Sequence, residues 1–128
     1  MEITERDVGE VVILTLHGRL VLEEVEAELR ARFDDVIERG RVKVALNLHD
    51  VAYLDSAGLG FLVSKYVSLH RRGGDVKLVQ VTPRVSHVLD ITRLARVFPS
   101  FASEDEAVQA FQTAAGRDAA PVITSRPG

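Results

Sequence analysis

Beyond the apolar run that starts at Val44, the chain passes through a polar turn into Asp55-Ser56-Ala57-Gly58-Leu59-Gly60. An aspartate just ahead of an apolar-periodic segment is suited to cap a helix. Its carboxylate can accept from one or two of the backbone N–H groups that the first turn leaves without partners. Ser56 then falls at the first helical position, a hydroxyl at an exposed helix start. Ala57, Gly58 and Gly60 add almost no side chain around it, so the backbone of another protein could approach closely. Two glycines in a first turn each cost roughly 1 kcal/mol against alanine, a choice that folding alone does not favour. Two uses of these residues stay open from sequence. Asp55-Ser56 can be a simple N-cap and the glycines a device for packing the helix on a sheet, or the group can be a small flat platform that displays Ser56 to a modifying or binding partner.

Other chemistries have less to stand on. The 128 residues hold no cysteine, which removes disulfides, thiolate catalysis and thiolate zinc sites. The four histidines lack metal-ligand spacing such as HExxH, so no metal site is expected. A nucleophilic role for Ser56 would need a base such as His49 or His87 and an orienting acid, and there is no G-x-S-x-G nucleophile elbow. No catalytic residue is therefore assigned. The net charge of −3, with both signs mixed along the chain, offers no broad cationic face for nucleic acid. The amino terminus lacks the basic start and apolar stretch of a signal peptide, and no apolar run approaches bilayer length, so a cytoplasmic protein without membrane contact is expected.

The elements that must position Ser56 follow from periodicity. Ile3 to Val8 and Val11 to His17 read as two strands joined at Gly9-Glu10, an antiparallel hairpin. Leu22, Val25, Leu29, Phe33, Val36 and Ile37 recur at steps of three and four, with an acidic outer face from Glu23 to Glu28, and Gly40 stops this helix. Val42 to Leu48 alternates as a strand whose second face carries smaller or polar groups, and His49 reads as a turn residue. The helix that begins at Ser56 carries Leu59, Leu62, Val63, Tyr66 and Leu69 inward and closes at Gly73-Gly74, with Arg71 and Arg72 as charges complementing its C-terminal dipole.

A strand from Val76 to Val81 follows, and Thr82-Pro83 caps and opens a third helix that runs out near Thr92. Val97-Phe98-Pro99 reads as a short edge strand, and Ser103-Glu104-Asp105-Glu106 as a capping box opening a last helix. Beyond Gly116 the residues lose periodicity, which predicts a disordered C-terminal tail over 117–128. The fold class is α/β: one domain over 1–116, a mixed sheet of four to five strands with about four helices packed on it.

From about Val11 to Phe111 the chain resembles the STAS domain family, specifically the bacterial anti-sigma factor antagonists. The resemblance is carried by Gly18-Arg19-Leu20, the strand Val42 to Leu48, Asp55-Ser56-Ala57-Gly58-Leu59-Gly60, Arg72-Gly73-Gly74, Leu78-Val79, Pro83-Arg84-Val85, Val88-Leu89 and Phe98, in the family's order and spacing. Asp-Ser-x-Gly-Leu is its specific part. The resemblance implies that Ser56 is phosphorylated by a partner that is both anti-sigma factor and serine kinase, that ATP is bound by that partner and no cofactor by this chain, and that a phosphoserine phosphatase resets the switch. It further implies that the unphosphorylated form binds the partner and frees the sigma factor, through Asp55, Ser56, Ala57, Gly58, Leu59 and Gly60. Tyr53, counted with the partner-binding residues, and Phe61 are candidates to flank this platform and contact the partner, with core or edge packing the competing use of both. Two positions depart from the family pattern. Val21 stands where many members carry an acidic residue, and Arg93 stands where they carry glycine, so that either a positive φ or a changed turn is required there. A subunit of a lipid-transport ATPase or of a stress-signalling assembly is the alternative use of the same fold.

Overall fold

The structure, a computed structural model, describes residues 1–116, and the tail predicted over 117–128 lies outside the described residues. The chain runs β1 (Glu2–Val8), β2 (Val11–His17), α1 (Leu22–Glu38), β3 (Lys43–Asp50), α2 (Ser56–Arg71), β4 (Asp75–Val79), α3 (Pro83–Ile91), a 3₁₀ turn (Leu94–Arg96), β5 (Ser100–Phe101) and α4 (Glu104–Gly116). One sheet holds all five strands in the order β1-β2-β3-β4-β5. β1 pairs antiparallel with β2, and every later pair is parallel, as helical crossovers require. No helix among the described residues is long and apolar enough to cross a membrane.

Alternation in the strands divides the molecule into two cores. Val12, Leu14 and Leu16 of β2 and Val44, Leu46 and Leu48 of β3 face α1, α2 and α3, where they meet Leu29, Phe33, Leu62, Leu69, Val85 and Leu89. The offset residues Val11, Ile13, Ala45 and Val79 face α4, which covers them with Ala107, Val108 and Phe111. The small and polar second face read from Ala45 and Asn47 is thus the floor under α4, and Asn47 is buried there. Its amide donates to Glu104 at 2.7 Å, so the polar group has a partner at the start of the helix that covers it.

Three local expectations are corrected. The edge strand lies at Ser100–Phe101 rather than Val97-Phe98-Pro99. The N–H groups of Val97 and Phe98 both turn back to the Leu94 carbonyl, and Phe98 is buried with its ring edge-on to Tyr66. Pro99 supplies a carbonyl to Leu78 N–H but begins no strand. His49 belongs to β3, because its backbone N–H and Nδ1 both engage Asn47 Oδ1 and hold the segment extended to Asp50. At α4 the Ser103 hydroxyl accepts from Glu106 N–H as expected, but the Glu106 carboxylate reaches one residue further back, to Ala102 N–H. Of the two uses left open for Phe61, the structure has core packing: the ring is buried, edge-on to Phe33 and flanked by Arg30 and Lys65.

At Arg93 the backbone resolves the choice left by the sequence, for it takes φ 63° and ψ 23°. It stands immediately after the α3 C-cap Thr92, and its N–H closes on the Asp90 carbonyl, the geometry of a left-handed helix stop normally given to glycine.

Candidate functional site

The ends of β2 and β3 are drawn together beyond their regular pairing. Gly18 N–H donates to the Asp50 carbonyl at 3.2 Å, Leu20 N–H to the Tyr53 carbonyl at 2.9 Å, and Asp55 N–H back to the Leu20 carbonyl at 3.2 Å. Leu20 and Leu54 form a parallel bridge with both side chains buried. This zipper carries Asp55 to the mouth of α2 at the C-terminal ends of the parallel strands, where open α/β sheets place their functional groups. Thr82, the N-cap of α3, holds the same loop from the other side by donating its hydroxyl to the Val51 carbonyl at 3.1 Å.

Asp55 caps α2 as the sequence predicts: extended backbone, with Oδ1 accepting from Gly58 N–H at 2.7 Å. The same oxygen also accepts from Leu22 N–H, the first residue of α1, at 3.4 Å. Val21, the N-cap of α1, offers no side-chain acceptor, so Asp55 serves the start of both helices.

The two glycines separate. A Cβ on Gly58 would lie 2.6 Å from Leu20 Cδ2 and 2.8 Å from the Leu20 carbonyl oxygen, so the first turn of α2 sits against the backbone of the preceding loop only because residue 58 has no side chain. Gly58 and Leu59 are buried, and their immediate use is packing. At Gly60 the same test meets nothing within 4 Å. No internal contact explains a helix-weakening glycine there, and it is exposed together with Ser56 and Ala57. The surface of the predicted platform is therefore Ser56, Ala57 and Gly60. Asp55, Gly58 and Leu59 hold it from beneath.

Tyr53 is half-buried at the rim of this surface, and the guanidinium of Arg19 lies over its ring, 5.1 Å from the centroid. Sequence reasoning did not single out Arg19 as a functional residue. Its signal is its place in Gly18-Arg19-Leu20, one residue before the leucine that the first turn of α2 packs on.

The imidazoles lie elsewhere. His49 is held by Asn47 on the α4 side of the sheet, with His17 at 6.0 Å centroid to centroid, and His17 Nδ1 is 3.0 Å from Asp50 Oδ2. His87 is exposed on α3. Among the described residues the His49 imidazole is taken up by Asn47, and neither His49 nor His87 hydrogen-bonds to Ser56. Nearby, Glu104 accepts from Asn47 and Arg6. Burial pushes its pKa up, but those hydrogen bonds, with the charges of Arg6 and His49, outweigh burial and hold it below the usual glutamate range.

A five-stranded mixed sheet with three helices on one face, one on the other, and a capped serine at the mouth of the central helix defines the class. The family model for the STAS domain matches residues 2–107, and the chain belongs to the STAS domain family. It is 32% identical to the anti-sigma-B factor antagonist of Bacillus subtilis over 63% of this chain and 73% of that one. It is 28% identical to the anti-sigma F factor antagonist of Paenibacillus polymyxa over 77% of this chain and 84% of that one. The crystal structure of a candidate anti-sigma factor antagonist from Thermotoga maritima superposes with a TM-score of 0.81 at 30% identity, covering 86% of this chain and 94% of the other.

Proposed function

We propose that this chain is a cytoplasmic anti-sigma factor antagonist: a binding module without catalysis of its own. Unphosphorylated, it binds an anti-sigma factor that is also a serine kinase, and it thereby frees the sigma factor. The kinase, holding ATP, phosphorylates Ser56 and ends the interaction, and a phosphoserine phosphatase restores it. The observation that carries this reading is the exposed surface Ser56-Ala57-Gly60, with a glycine at 60 that the packing of the fold does not require. The relatives named as anti-sigma factor antagonists support the antagonist role within it.

The physics of the switch is local. Phosphate adds about −1.5 to −2 charges and three acceptor oxygens. At an interface fitted to a neutral hydroxyl beside Asp55, that charge is repelled and costly to desolvate. In the unbound protein the start of α2 favours it by about 0.3 to 1 kcal/mol, so the partner's surface senses the phosphate while the fold tolerates it.

The test is incubation with ATP and the cognate kinase, mapping by mass spectrometry, and a binding assay against the same partner. Wild type is expected to gain one phosphate at Ser56 and Ser56→Ala none. Ser56→Ala is expected to stay bound, and Ser56→Asp to bind at least tenfold more weakly with an unchanged melting temperature. Equal phosphorylation of Ser56→Ala, or wild-type affinity in Ser56→Asp, would overturn the proposal.

A further inference from the structure

We infer that Arg19 is an internal reader of the Ser56 phosphate, and that it exposes Tyr53 when it moves. This inference rests on the proposal that Ser56 is phosphorylated, and deepens it by assigning the change inside the chain that accompanies modification.

Arg19 is exposed, and among the described residues its guanidinium forms no ion pair. Its contact is the face of Tyr53. The backbone ties this pair to the residues that seat Ser56: Leu20 bridges to Leu54, Asp55 N–H donates to the Leu20 carbonyl, and the first turn of α2 is seated on Leu20 at Gly58. Because side chains alternate along an extended backbone, Arg19 and Tyr53 both project away from the buried pair Leu20 and Leu54, on one side of the zipper. Arg19 thus stands one residue before Leu20, against which the turn bearing Ser56 is packed.

Among the described residues no carboxylate pairs with this cation in the unmodified chain. Cation–π attraction at an exposed site is weak. A phosphoserine dianion offers what the ring cannot, two oxygens that match the guanidinium fork and charge-assisted hydrogen bonds. The arginine therefore transfers from Tyr53 to the phosphate. Two consequences reach the surface together: part of the new charge is neutralised inside the chain, and the Tyr53 ring loses its cover. A partner that docks on Tyr53 with Arg19 laid over it then meets a different rim, in addition to the phosphate itself.

The test uses the whole chain with phosphoserine incorporated at position 56 during translation, so that no kinase is needed. The second phosphate pKa is read by ³¹P NMR in the Arg19 wild type, Arg19→Ala and Arg19→Lys, and the Tyr53 ring protons are followed with and without phosphate. The effect of the α2 start is common to all three chains and cancels in the comparison. Wild type is expected to titrate roughly half a unit below Arg19→Ala, a smaller shift than that of a close partly buried pair, with Arg19→Lys between them. The Tyr53 ring signals are expected to shift on phosphorylation of wild type and to stay still in Arg19→Ala. Equal pKa values in the three chains, or Tyr53 signals that respond identically in wild type and Arg19→Ala, would overturn the inference. Either result leaves the kinase assay on Ser56 unaffected, so the two proposals fail separately.

Discussion

The backbone N–H of Leu22 donates to Oδ1 of Asp55 at 3.4 Å, between residues 33 positions apart in the chain. One carboxylate oxygen therefore serves the first turn of α1 and, through Gly58 at 2.7 Å, the first turn of α2. Removing an N-cap acceptor costs about 0.5 to 2 kcal/mol, and here two helix starts lose one. Asp55→Ala is expected at the upper end, about 2 kcal/mol less stable in chemical denaturation, whereas Asp55→Asn keeps the acceptor and most of the stability. The decisive measurement is amide hydrogen exchange. In Asp55→Ala both the Gly58 and the Leu22 amides should exchange faster, and an unchanged Leu22 would show that α1 does not depend on Asp55.

Gly58 and Gly60 predict opposite outcomes for the same substitution. Gly58→Ala drives a Cβ to within 2.8 Å of the Leu20 carbonyl oxygen, and overpacking of this kind costs about 1 to 3 kcal/mol. Gly60→Ala meets open space and should gain about 1 kcal/mol of helix propensity. If Gly60 is kept bare for a partner, the more stable Gly60→Ala chain should bind the anti-sigma factor less well. Thermal melting beside a binding titration checks both. A Gly60→Ala variant that is stabilised and binds normally would remove Gly60 from the interface.

Local patterns carry much of this fold, and long-range contacts decide the rest. The helices α1, α2 and α3, the hairpin and the Asp55 cap were legible because each is a local pattern: a period, a cap residue, a stop. Leu22's hydrogen bond was not, because it joins two helix starts whose approach depends on the pairing of β2 with β3. Gly58 and Gly60 look alike in sequence, and only the position of Leu20 tells them apart. Val97-Phe98-Pro99 misled because a buried aromatic next to proline suits a strand as well as the end of a 3₁₀ turn, and the contact that decides is Phe98 on Tyr66. Arg19 over Tyr53 carries no periodic signal at all.

Arg93, at φ 63°, holds a backbone conformation that costs a residue with a Cβ about 1 to 2 kcal/mol. Arg93→Gly relieves this strain and gives back part of the gain through the greater freedom of glycine in the unfolded chain. The expected net effect is a rise of roughly 0.5 kcal/mol, seen as a melting temperature higher by a few degrees. Arg93→Ala, which keeps the Cβ, should show no such rise. A lower melting temperature for Arg93→Gly would mean that the arginine side chain contributes more to the α3 stop than its backbone costs.

Glu104 links the start of α4 to the sheet through Asn47 and Arg6, and its folded-state pKa lies below that of an unfolded glutamate. A depressed carboxylate contributes stability that is fully present above the unfolded pKa and is lost as pH falls through the folded one. Glu104 should therefore stabilise the chain at neutral pH and contribute progressively less below about pH 4.3, the unfolded value. Glu104→Gln keeps an acceptor for Asn47 but gives up the charge opposite Arg6 and His49. Its melting temperature should fall below wild type at pH 7, with the two curves converging as the acid limb is descended. The check is a series of thermal melts from pH 7 to pH 3. A gap that stays constant over that range would show that the Glu104 charge does not contribute and that only its hydrogen bonds hold α4 in place.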